Sequence, residues 1–311
     1  MQEKKIQQKR VKRDVSGVLL LDKPLGFSSN QALQKIKWLY QAAKAGHTGT
    51  LDPLATGLLP ICLGEATKFA QYLTDADKTY VATIKLGVTT TTADAEGEVI
   101  DTRPANFTNE QFQAACQQFV GEISQVPPMY SALKHEGKAL YAYARAGIEI
   151  AREARQVTIR DIAINSLMGD VAQVTVTCSK GTYIRTLAED IGNALGCGAH
   201  LIALRRITAA AYDLSQAVTV EQLESMTLET RDRMLLAVDS AIECLPKMIL
   251  NQDAAYYLMQ GQPVWQSGKI SEGDLRLYSE NNQFLGLGFQ QDDGKIAPKR
   301  LLQIKAIKTA V

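Results

Sequence analysis

The most constraining feature of this chain is the segment KTYVATIKLG, residues 78–87, in which polar and apolar side chains alternate. A period of two places Tyr80, Ala82, Ile84 and Leu86 on one face of an extended strand. The pattern predicts a strand that is buried on that face, with Tyr80 at its beginning. Because such a strand needs neighbouring strands, the chain is expected to contain a main sheet.

Further strands and helices are predicted on both sides of this segment. The stretch GVLLLDKPLGFSSN predicts a short buried strand, a turn set by Pro24 and Gly26, and a helix capped at Ser28 or Ser29. Other strands are predicted at residues 58–64, 157–164 and 171–178, and helices at residues 65–73, 108–120, 184–196, 219–227 and 229–242. Both kinds of element therefore recur along the chain.

The distribution of apolar and basic residues divides the 311 residues into parts. Residues 1–15 contain many basic side chains and little to bury, so a disordered basic tail is expected, with order beginning near Ser16. Residues 16–246 are expected to form the main domain, in which residues 124–152 contain a Pro-Pro pair and are predicted to leave the main sheet. Residues 247–311 show short alternating segments and turn signals, which predict a small β-rich domain.

Charge, cysteine and histidine usage exclude several classes of protein. Lys and Arg total 34 against 33 Asp and Glu, so a net charge of +1 gives no general attraction to polyanions, and any nucleic-acid surface must be local. The five cysteines are scattered, and His47, His135 and His200 lie in unrelated segments, which argues against a disulfide framework and a metal site. A reducing compartment is expected. The chain shows neither an apolar signal core nor an apolar run of membrane length, so neither export nor a membrane span is expected.

The glycine-rich loop AGHTGTLDPLATG, residues 45–57, carries one carboxylate, Asp52, immediately before a proline. Pro53 keeps Asp52 out of the helical region and the glycines permit tight turns, so the loop can expose the carboxylate to a cleft. An Asx turn or a helix N-cap is an equally ordinary role for this aspartate and remains open. The loop lacks the G-x-x-x-x-G-K-[ST] spacing of a nucleotide-binding P-loop.

A second unusual segment is SKGTYIRT, residues 179–186, which places Lys180, Tyr183 and Arg185 around a glycine turn before a predicted helix. A guanidinium binds a carboxylate with fixed fork geometry, so Arg185 would hold Asp52 ionised if the two met inside a cleft. A structural ion pair or a solvated Arg185 is the alternative.

Aromatic and basic residues are interleaved in two places, at Lys78 and Tyr80 and within residues 124–152. Aromatic rings can stack on extruded bases while cations neutralise phosphates, so the pattern indicates contact with nucleic acid. Tyr141 and Tyr143 cannot share one helix face, and ordinary packing is the favoured interpretation for that pair.

Seven longer segments occur in a fixed order between residues 17 and 208. They are GVLLLDKPLGFSSN, AGHTGTLDPLATGLLPICLGEATK, KTYVATIKLG, DAEGEV, PPMYSALKHEGKALYAYAR, CSKGTYIRTLAEDIG and HLIALRRI. Together they resemble the bacterial tRNA pseudouridine synthase B (TruB) family. The similarity of the last domain rests mainly on DDGKIAPKRLL.

The resemblance implies an enzyme that isomerises uridine 55 in the TΨC loop of tRNA to pseudouridine, with no cofactor and no metal. It implies the pseudouridine synthase fold, a mixed α/β (α+β) domain with a largely antiparallel central sheet, an inserted RNA-gripping segment and a PUA-type C-terminal domain. Residues 124–152 and 247–311 match the last two parts. A cytoplasmic monomer is expected, with the T arm of tRNA as partner, no obligate protein partner and no membrane contact.

The resemblance also implies roles for particular residues. Asp52 is expected to be the catalytic nucleophile, Tyr80 to stack on the target base, and Arg185 to pair with the aspartate. The substrate-binding residues implied are Tyr183 and Leu204 in the pocket, Lys23 in a supporting position, and His47 in the space that flipped bases vacate.

Elementary chemistry is consistent with these expectations, because the isomerisation exchanges an N1–C1′ bond for a C5–C1′ bond without redox change. The carboxylate can capture or stabilise a C1′ cation, or add to the uracil ring, and both paths remain open. The base that removes the C5 proton is also open, with Tyr80 as one candidate. A non-catalytic tRNA-folding chaperone is the alternative function, and it would not need Asp52. A nucleoside hydrolase or glycosidase would normally require a second carboxylate.

Overall fold

The computed structural model describes residues 12–266 and 273–303. Within them, the strands in chain order are β1 (Gly17–Lys23), β2 (Ala45–His47), β3 (Ala55–Leu63), β4 (Lys78–Leu86), β5 (Val88–Thr90), β6 (Val99–Thr102), β7 (Gly121–Gln125), β8 (Lys134–His135), β9 (Lys138–Ala139), β10 (Arg155–Met168), β11 (Val171–Cys178), β12 (Ala199–Ala209), β13 (Tyr212–Asp213), β14 (Lys247–Leu250), β15 (Asp274–Ser279), β16 (Phe284–Gln290) and β17 (Ile296–Leu301). The α-helices are α1 (Ser29–Leu39), α2 (Ala70–Asp75), α3 (Asn109–Gln117), α4 (Leu140–Ala144), α5 (Ile184–Ala194), α6 (Val220–Ser225), α7 (Leu228–Arg233) and α8 (Gln252–Met259). Short 3-10 helices cover Gly64–Lys68, Leu214–Gln216 and Val238–Ile242.

Arg13 lies shortly before the expected start of order near Ser16, and it already contacts the main domain. Its amide donates to the carbonyl oxygen of Gln41 at 2.7 Å, and its guanidinium forms an ion pair with Asp232. Backbone and side-chain contacts therefore hold the chain before the predicted boundary. Residues 1–11 of the predicted tail lie outside the described residues, as do 267–272 and 304–311 of the predicted last domain.

The main sheet has nine strands, with the hydrogen-bonded order β1-β3-β12-β4-β11-β10-β7 and with β2 and β13 attached to β3 and β12. Its pairings are antiparallel except that β12 runs parallel to β3. The mixed α/β class and the largely antiparallel sheet are thus confirmed. The half-buried strand predicted at residues 78–87 is also confirmed, since β4 lies inside the sheet with Tyr80, Ala82, Ile84 and Leu86 buried.

Hydrophobic cores lie on both faces of the main sheet, and β1 contributes to each. Leu19 and Leu21 belong to the core that includes residues of α1, α3 and α5. Val18 and Leu20 belong to a second core, which also contains Leu287 of β16. Both faces of β1 are therefore buried, which explains the unbroken apolar run of residues 18–21.

A separate four-stranded sheet, β14-β15-β16-β17, forms the C-terminal part of the described chain. The side chain of Lys68 donates to the carbonyl oxygen of Leu301 at 2.8 Å, and Tyr72 hydrogen-bonds Asp274, so this part packs against the main domain. Only strands and turns were predicted after residue 246, and α8 corrects that prediction. Asn251 caps α8, but the exposed Tyr256 beside its buried residues obscures the apolar spacing.

Other boundaries also differ from the predictions. Residues 45–57 were predicted as one loop, but β2 at their start pairs with β3. The helix predicted at residues 229–242 ends at Arg233. Residues 199–209 form β12, although no element was predicted there. The strand was missed because the adjacent arginines 205 and 206 interrupt the alternation of apolar and polar residues, and because its pairing with β4 contains register shifts. No helix in the described part of the chain combines the length and hydropathy needed to cross a membrane.

Gly57 allows β3 to approach β12 closely, and its replacement is expected to destabilise the fold. Its φ is +99°, and a Cβ there would lie 2.3 Å from the carbonyl oxygen of Arg206. Gly169 has φ +60° but open space around it, so Gly169→Ala is a matched control for backbone strain alone. We expect Gly169→Ala to cost about 1 kcal/mol of unfolding free energy and Gly57→Ala about 1–3 kcal/mol more, measured by urea unfolding. Equal losses would show that the close approach is not rigid.

Candidate active site

The loop between β2 and β3 is fixed on α1, and it presents Asp52 beside a cavity. The hydroxyl of Ser29, buried at the start of α1, accepts from the amide of Leu51 at 2.7 Å and donates to the Leu51 carbonyl at 2.9 Å. On the other side of Asp52, the carbonyl oxygen of Pro53 accepts from the amide of Gly26 at 2.9 Å. The residues before and after Asp52 are therefore both held by the turn and helix that follow β1.

Arg185 meets Asp52, a contact that the family resemblance implied and that the segment 179–186 by itself left open. Its Nε lies 3.0 Å from Oδ2 of Asp52, and the arginine side chain is 5% exposed while the aspartate side chain is 38% exposed. In the described part of the chain the Asp52 carboxylate makes no hydrogen bond to a backbone amide, so the Asx turn or N-cap that remained open is not formed. The ion pair instead leaves one side of the carboxylate accessible.

Asp94 is a second carboxylate on the same guanidinium, and the sequence analysis did not single it out. Its Oδ2 lies 3.3 Å from Nη1 of Arg185, and its side chain is 3% exposed. The hydroxyl of Thr92 donates to Oδ1 of Asp94 at 2.5 Å, and the amide of Glu96 donates to the same oxygen at 3.1 Å. The DAEGEV motif, which entered the sequence analysis only as one of the segments that carry the family resemblance, thus contributes a buried acid to this site.

Arg185 also binds backbone carbonyls from two separate segments. Its Nη1 donates to the carbonyl of Thr92 at 3.2 Å, and its Nη2 donates to the carbonyl of Tyr130 at 2.7 Å. Tyr130 belongs to the segment 124–152, which leaves the main sheet after β7 and returns to it with β10. One guanidinium therefore joins the Asp52 loop, the segment after β5 and the inserted segment.

The electrostatic environment of Asp52 contains opposing contributions. Burial raises the pKa of the Asp52 carboxyl above its usual value, and the nearby Asp94 adds to that rise. The guanidinium of Arg185 opposes the rise, and so does the ammonium of Lys23. The balance leaves Asp52 with a raised pKa and makes its charge dependent on how Arg185 is shared.

A cavity of about 550 Å³ lies next to Asp52, in the size range of sites for small organic groups. Five of the seven site residues that the resemblance implies line it: Asp52, Tyr80, Tyr183, Arg185 and Leu204. Asp52 is the one carboxylate among the lining residues. No three His, Cys, Asp or Glu side chains in the described ranges form a group that could hold a metal ion.

Lys23 and His47, also expected at the site, do not line this cavity. Lys23 is completely buried at the end of β1, where its ammonium donates to the carbonyls of Pro24 at 3.0 Å and Phe27 at 2.5 Å. Burial lowers the pKa of Lys23 to about 8. His47 lies on β2, and burial lowers the pKa of its ring. Lys23 therefore organises the turn that holds Pro53, and His47 presents a ring for which the neutral form is favoured.

The chain is similar to proteins of one known family. The family models for the TruB family pseudouridylate synthase N-terminal domain, the tRNA pseudouridylate synthase B C-terminal domain and the pseudouridine synthase II TruB C-terminal domain match residues 37–184, 185–243 and 246–302. A curated protein from Methylobacillus flagellatus, named tRNA pseudouridine synthase B, is 62% identical over 96% of this chain and 99% of its own length. The chain belongs to the TruB family of pseudouridylate synthases.

Further relatives agree with this TruB membership. The tRNA pseudouridine synthase B of Stutzerimonas stutzeri is 55% identical over 96% of this chain and 99% of its own length. Among solved structures, the crystal structure of a Cbf5-Nop10-Gar1 complex contains a chain that is similar at a TM-score of 0.69 and 26% identity, covering 92% of this chain and 84% of that one. The archaeal box H/ACA sRNP Nop10-Cbf5 complex gives a TM-score of 0.68 at 25% identity, covering 92% and 85%. The resemblance to the TruB family is confirmed.

In this TruB-family site, Asp94→Asn is expected to slow the reaction and to lower the pH at which activity is lost on acidification, which is the acid limit of the reaction. Removing the second carboxylate lets Arg185 act on Asp52 alone and lowers the pKa of Asp52, so activity should persist to lower pH than in the unaltered protein. Because Arg185 is also less firmly positioned, we expect the single-turnover rate at neutral pH to fall roughly 10- to 100-fold. Asp101→Asn, on exposed β6, is the matched control. An acid limit that moved upward would contradict this account of Asp94.

Proposed function

We propose that this protein isomerises uridine 55 in the TΨC loop of tRNA to pseudouridine, with Asp52 as the nucleophile. The observation that carries the proposal is the single cavity-lining carboxylate, paired at 3.0 Å with the buried Arg185 and adjoining Tyr80 in the cavity wall. The names of the relatives from Methylobacillus flagellatus and Stutzerimonas stutzeri support tRNA as the substrate.

The reaction breaks the N1–C1′ bond, turns the uracil and forms a C5–C1′ bond. C5 loses its proton and N1 gains one, so atoms and electrons balance without an oxidant or a transferred group. Asp52 serves either by bonding to or stabilising C1′ or by adding to the uracil ring. In each path its ionised form is required, and Arg185 keeps that form oriented toward the cavity.

The target uridine must leave the stacked tRNA loop to reach Asp52, and extrusion costs on the order of a few kcal/mol. Tyr80, on the cavity wall, is proposed to stack on the extruded uracil and to return part of this cost. Tyr183 and Leu204 complete the base pocket. His47 is proposed to occupy space vacated by flipped bases, a role for which a neutral aromatic ring is suited.

We assign residues 16–246 to the catalytic domain, with residues 124–152 as the segment that grips RNA. Two cation–π contacts support that second role: Lys138 lies over the ring of Tyr143 at 4.7 Å, and Arg145 over Tyr141 at 5.6 Å, where they combine positive charge with aromatic surface. Residues 247–311 are proposed to be a PUA-type domain. The partner is the T arm of tRNA, and the protein is proposed to act as a cytoplasmic monomer without a cofactor or an obligate protein partner.

The decisive experiment follows tritium release from tRNA transcripts labelled at uracil C5. The intact protein is expected to release one equivalent, because C5 exchanges its hydrogen for the bond to C1′. A transcript with cytidine at position 55 should release none, which identifies the modified nucleotide. If the intact protein binds the transcript but releases no tritium, the enzyme proposal is rejected and the RNA-chaperone function replaces it. Release of free uracil would instead indicate a glycosidase.

Affinity for tRNA should depend strongly on salt although the whole chain is almost neutral. Arg155 and Lys180 line the cavity and can replace counterions on the RNA backbone. We expect the dissociation constant to rise about tenfold or more between ~50 and ~200 mM salt, measured by filter binding. An affinity that stays flat over this range would contradict phosphate contacts by these side chains.

A further inference from the structure

Arg206 is a completely buried cation in the middle of the main sheet. It lies on β12 and is directly opposite Tyr80 on β4 and Gly57 on β3. Residues directly opposite each other in paired strands project from the same face of a sheet, so Arg206 and Tyr80 are neighbours by register. Arg206 also lines the cavity that contains Asp52 and Tyr80.

Two nitrogens of the Arg206 guanidinium donate hydrogen bonds, and the third has no hydrogen-bond partner among the described residues. Its Nε donates to the carbonyl oxygen of Leu58 at 2.6 Å, and its Nη2 donates to the carbonyl oxygen of Gly49 at 3.0 Å. Its Nη1 is buried and has no hydrogen-bond partner among the described residues. A buried, charged donor without a partner is costly, which points to an interaction that forms during the reaction.

The charges around Arg206 also indicate that it interacts with a group that becomes negative during the reaction. No Asp or Glu in the described ranges forms an ion pair with Arg206, whereas Arg185 has both Asp52 and Asp94. Lys78, another buried cation of the cavity wall, donates to carbonyls at the end of α2. Arg206 therefore carries a positive charge that no ion pair among the described residues neutralises, and it is suited to stabilise negative charge that develops beside Tyr80.

Tyr80 lies beside Arg206 and is a group at which such charge can develop. The carbon at the centre of the guanidinium lies 5.9 Å from the centroid of the Tyr80 ring. Burial raises the pKa of the Tyr80 phenol, and Cys178 and Asp52 add to that rise, whereas Arg206 opposes it through its positive charge and its side-chain contact. A phenol has an ordinary pKa of about 10 and is a weak base at neutral pH unless its anion is stabilised.

We propose that Arg206 is a positioning residue for the reaction, whose free Nη1 stabilises the phenolate of Tyr80 while that oxygen removes the proton from C5. This inference rests on the proposed function. The phenol of Tyr80 first loses its proton to water, and the resulting phenolate accepts the C5 proton while the electron pair of the C–H bond returns to the uracil ring. N1, which has lost its bond to C1′, takes up the proton released to water, so Tyr80 ends the cycle as the phenol.

The test compares Arg206→Lys and Arg206→Gln with the matched control Arg205→Lys. Arg205 is the preceding residue on the same strand, and it pairs with Asp22 at 2.6 Å rather than lining the cavity. Single-turnover rates are measured on tRNA transcripts with protium or deuterium at uracil C5, together with tRNA affinity and thermal unfolding. If proton removal is impaired, it becomes rate-limiting and the isotope effect increases.

We expect the Arg206 variants to bind tRNA like the intact protein, to react roughly 10- to 100-fold more slowly, and to show a larger C5 isotope effect. Arg205→Lys should match the intact protein in all three measurements. Replacing Tyr80 of the Arg206→Lys protein by a ring-fluorinated tyrosine, which is more acidic, should restore part of the rate.

Three results would overturn the assignment. A slow variant with an unchanged isotope effect would mean that Arg206 acts only by holding Gly49 and Leu58. Loss of folding in both Arg206 variants would likewise make it a structural residue. A full rate in either folded Arg206 variant would remove it from the mechanism. Failure of the proposed function itself is distinguishable, since the intact protein would then form no pseudouridine.

Discussion

Asp52→Asn is expected to abolish pseudouridine formation while tRNA binding is retained. The amide keeps the size of the carboxylate but cannot act as an anionic nucleophile or stabilise a cation at C1′, so we expect the single-turnover rate to fall by at least about 10⁴-fold. The loop should keep its conformation, because Ser29 holds Leu51 and Gly26 holds Pro53 through backbone groups that the substitution does not alter.

The measurement for Asp52→Asn is release of C5 tritium from tRNA, with affinity measured by filter binding on the same preparations. Asp170→Asn is the matched control, since Asp170 pairs with Lys85 at a hairpin away from the cavity. The control should react like the intact protein. Release of a full equivalent by Asp52→Asn would remove Asp52 from the chemistry, and loss of tRNA affinity would make it a binding residue.

Arg185→Lys is expected to have the second-largest effect, although it preserves a positive charge. An ammonium cannot contact Asp52, Asp94 and the Thr92 and Tyr130 carbonyls in the way the guanidinium does. We expect the single-turnover rate to fall roughly 10²- to 10³-fold with little change in tRNA affinity, because orientation of the carboxylate is lost rather than contact with RNA.

The pH dependence of Arg185→Lys provides an independent readout. Arg185 lowers the pKa of Asp52 against the effect of burial, so weakening this contact raises that pKa further. The ionised carboxylate then disappears at a higher pH on acidification, and the acid limb of the rate profile should move upward. This shift is opposite in sign to that expected for Asp94→Asn. Movement of both variants in the same direction would contradict the shared-guanidinium arrangement.

Sequence patterns located the Asp52–Arg185 pair because each residue belongs to an unusual local segment. The proline after Asp52 and the glycine turn before Arg185 are visible without a structure, and so is the alternation that places Tyr80 at the start of β4. The sequence patterns left two alternatives open for each residue: a carboxylate exposed to a cleft or an Asx turn or N-cap for Asp52, and a contact with Asp52 or a structural or solvated role for Arg185. The 3.0 Å ion pair between them removes the Asx-turn interpretation.

Asp94 and Arg206 could not be recognised in the same way. Asp94 lies in a polar stretch that resembles an exposed connection, and its burial depends on Arg185, which is distant in sequence. Arg206 interrupts the apolar alternation of β12, and a charged residue in a strand is normally taken to face solvent. Its burial follows from the carbonyls of Gly49 and Leu58, which only the packed sheet brings to it.

The sequence by itself determined the local elements: strand alternation, helix caps such as Ser28 and Thr108, and the turns set by glycine and proline. These depend on interactions within a few residues, which a linear pattern records. Only the tertiary structure decided which cations share which carboxylates and carbonyls, because those contacts join β4, β12, α5 and their loops across long separations. Electrostatic and desolvation energies depend on distance and burial in space, so the chemistry of the site emerges only when the sheet is assembled.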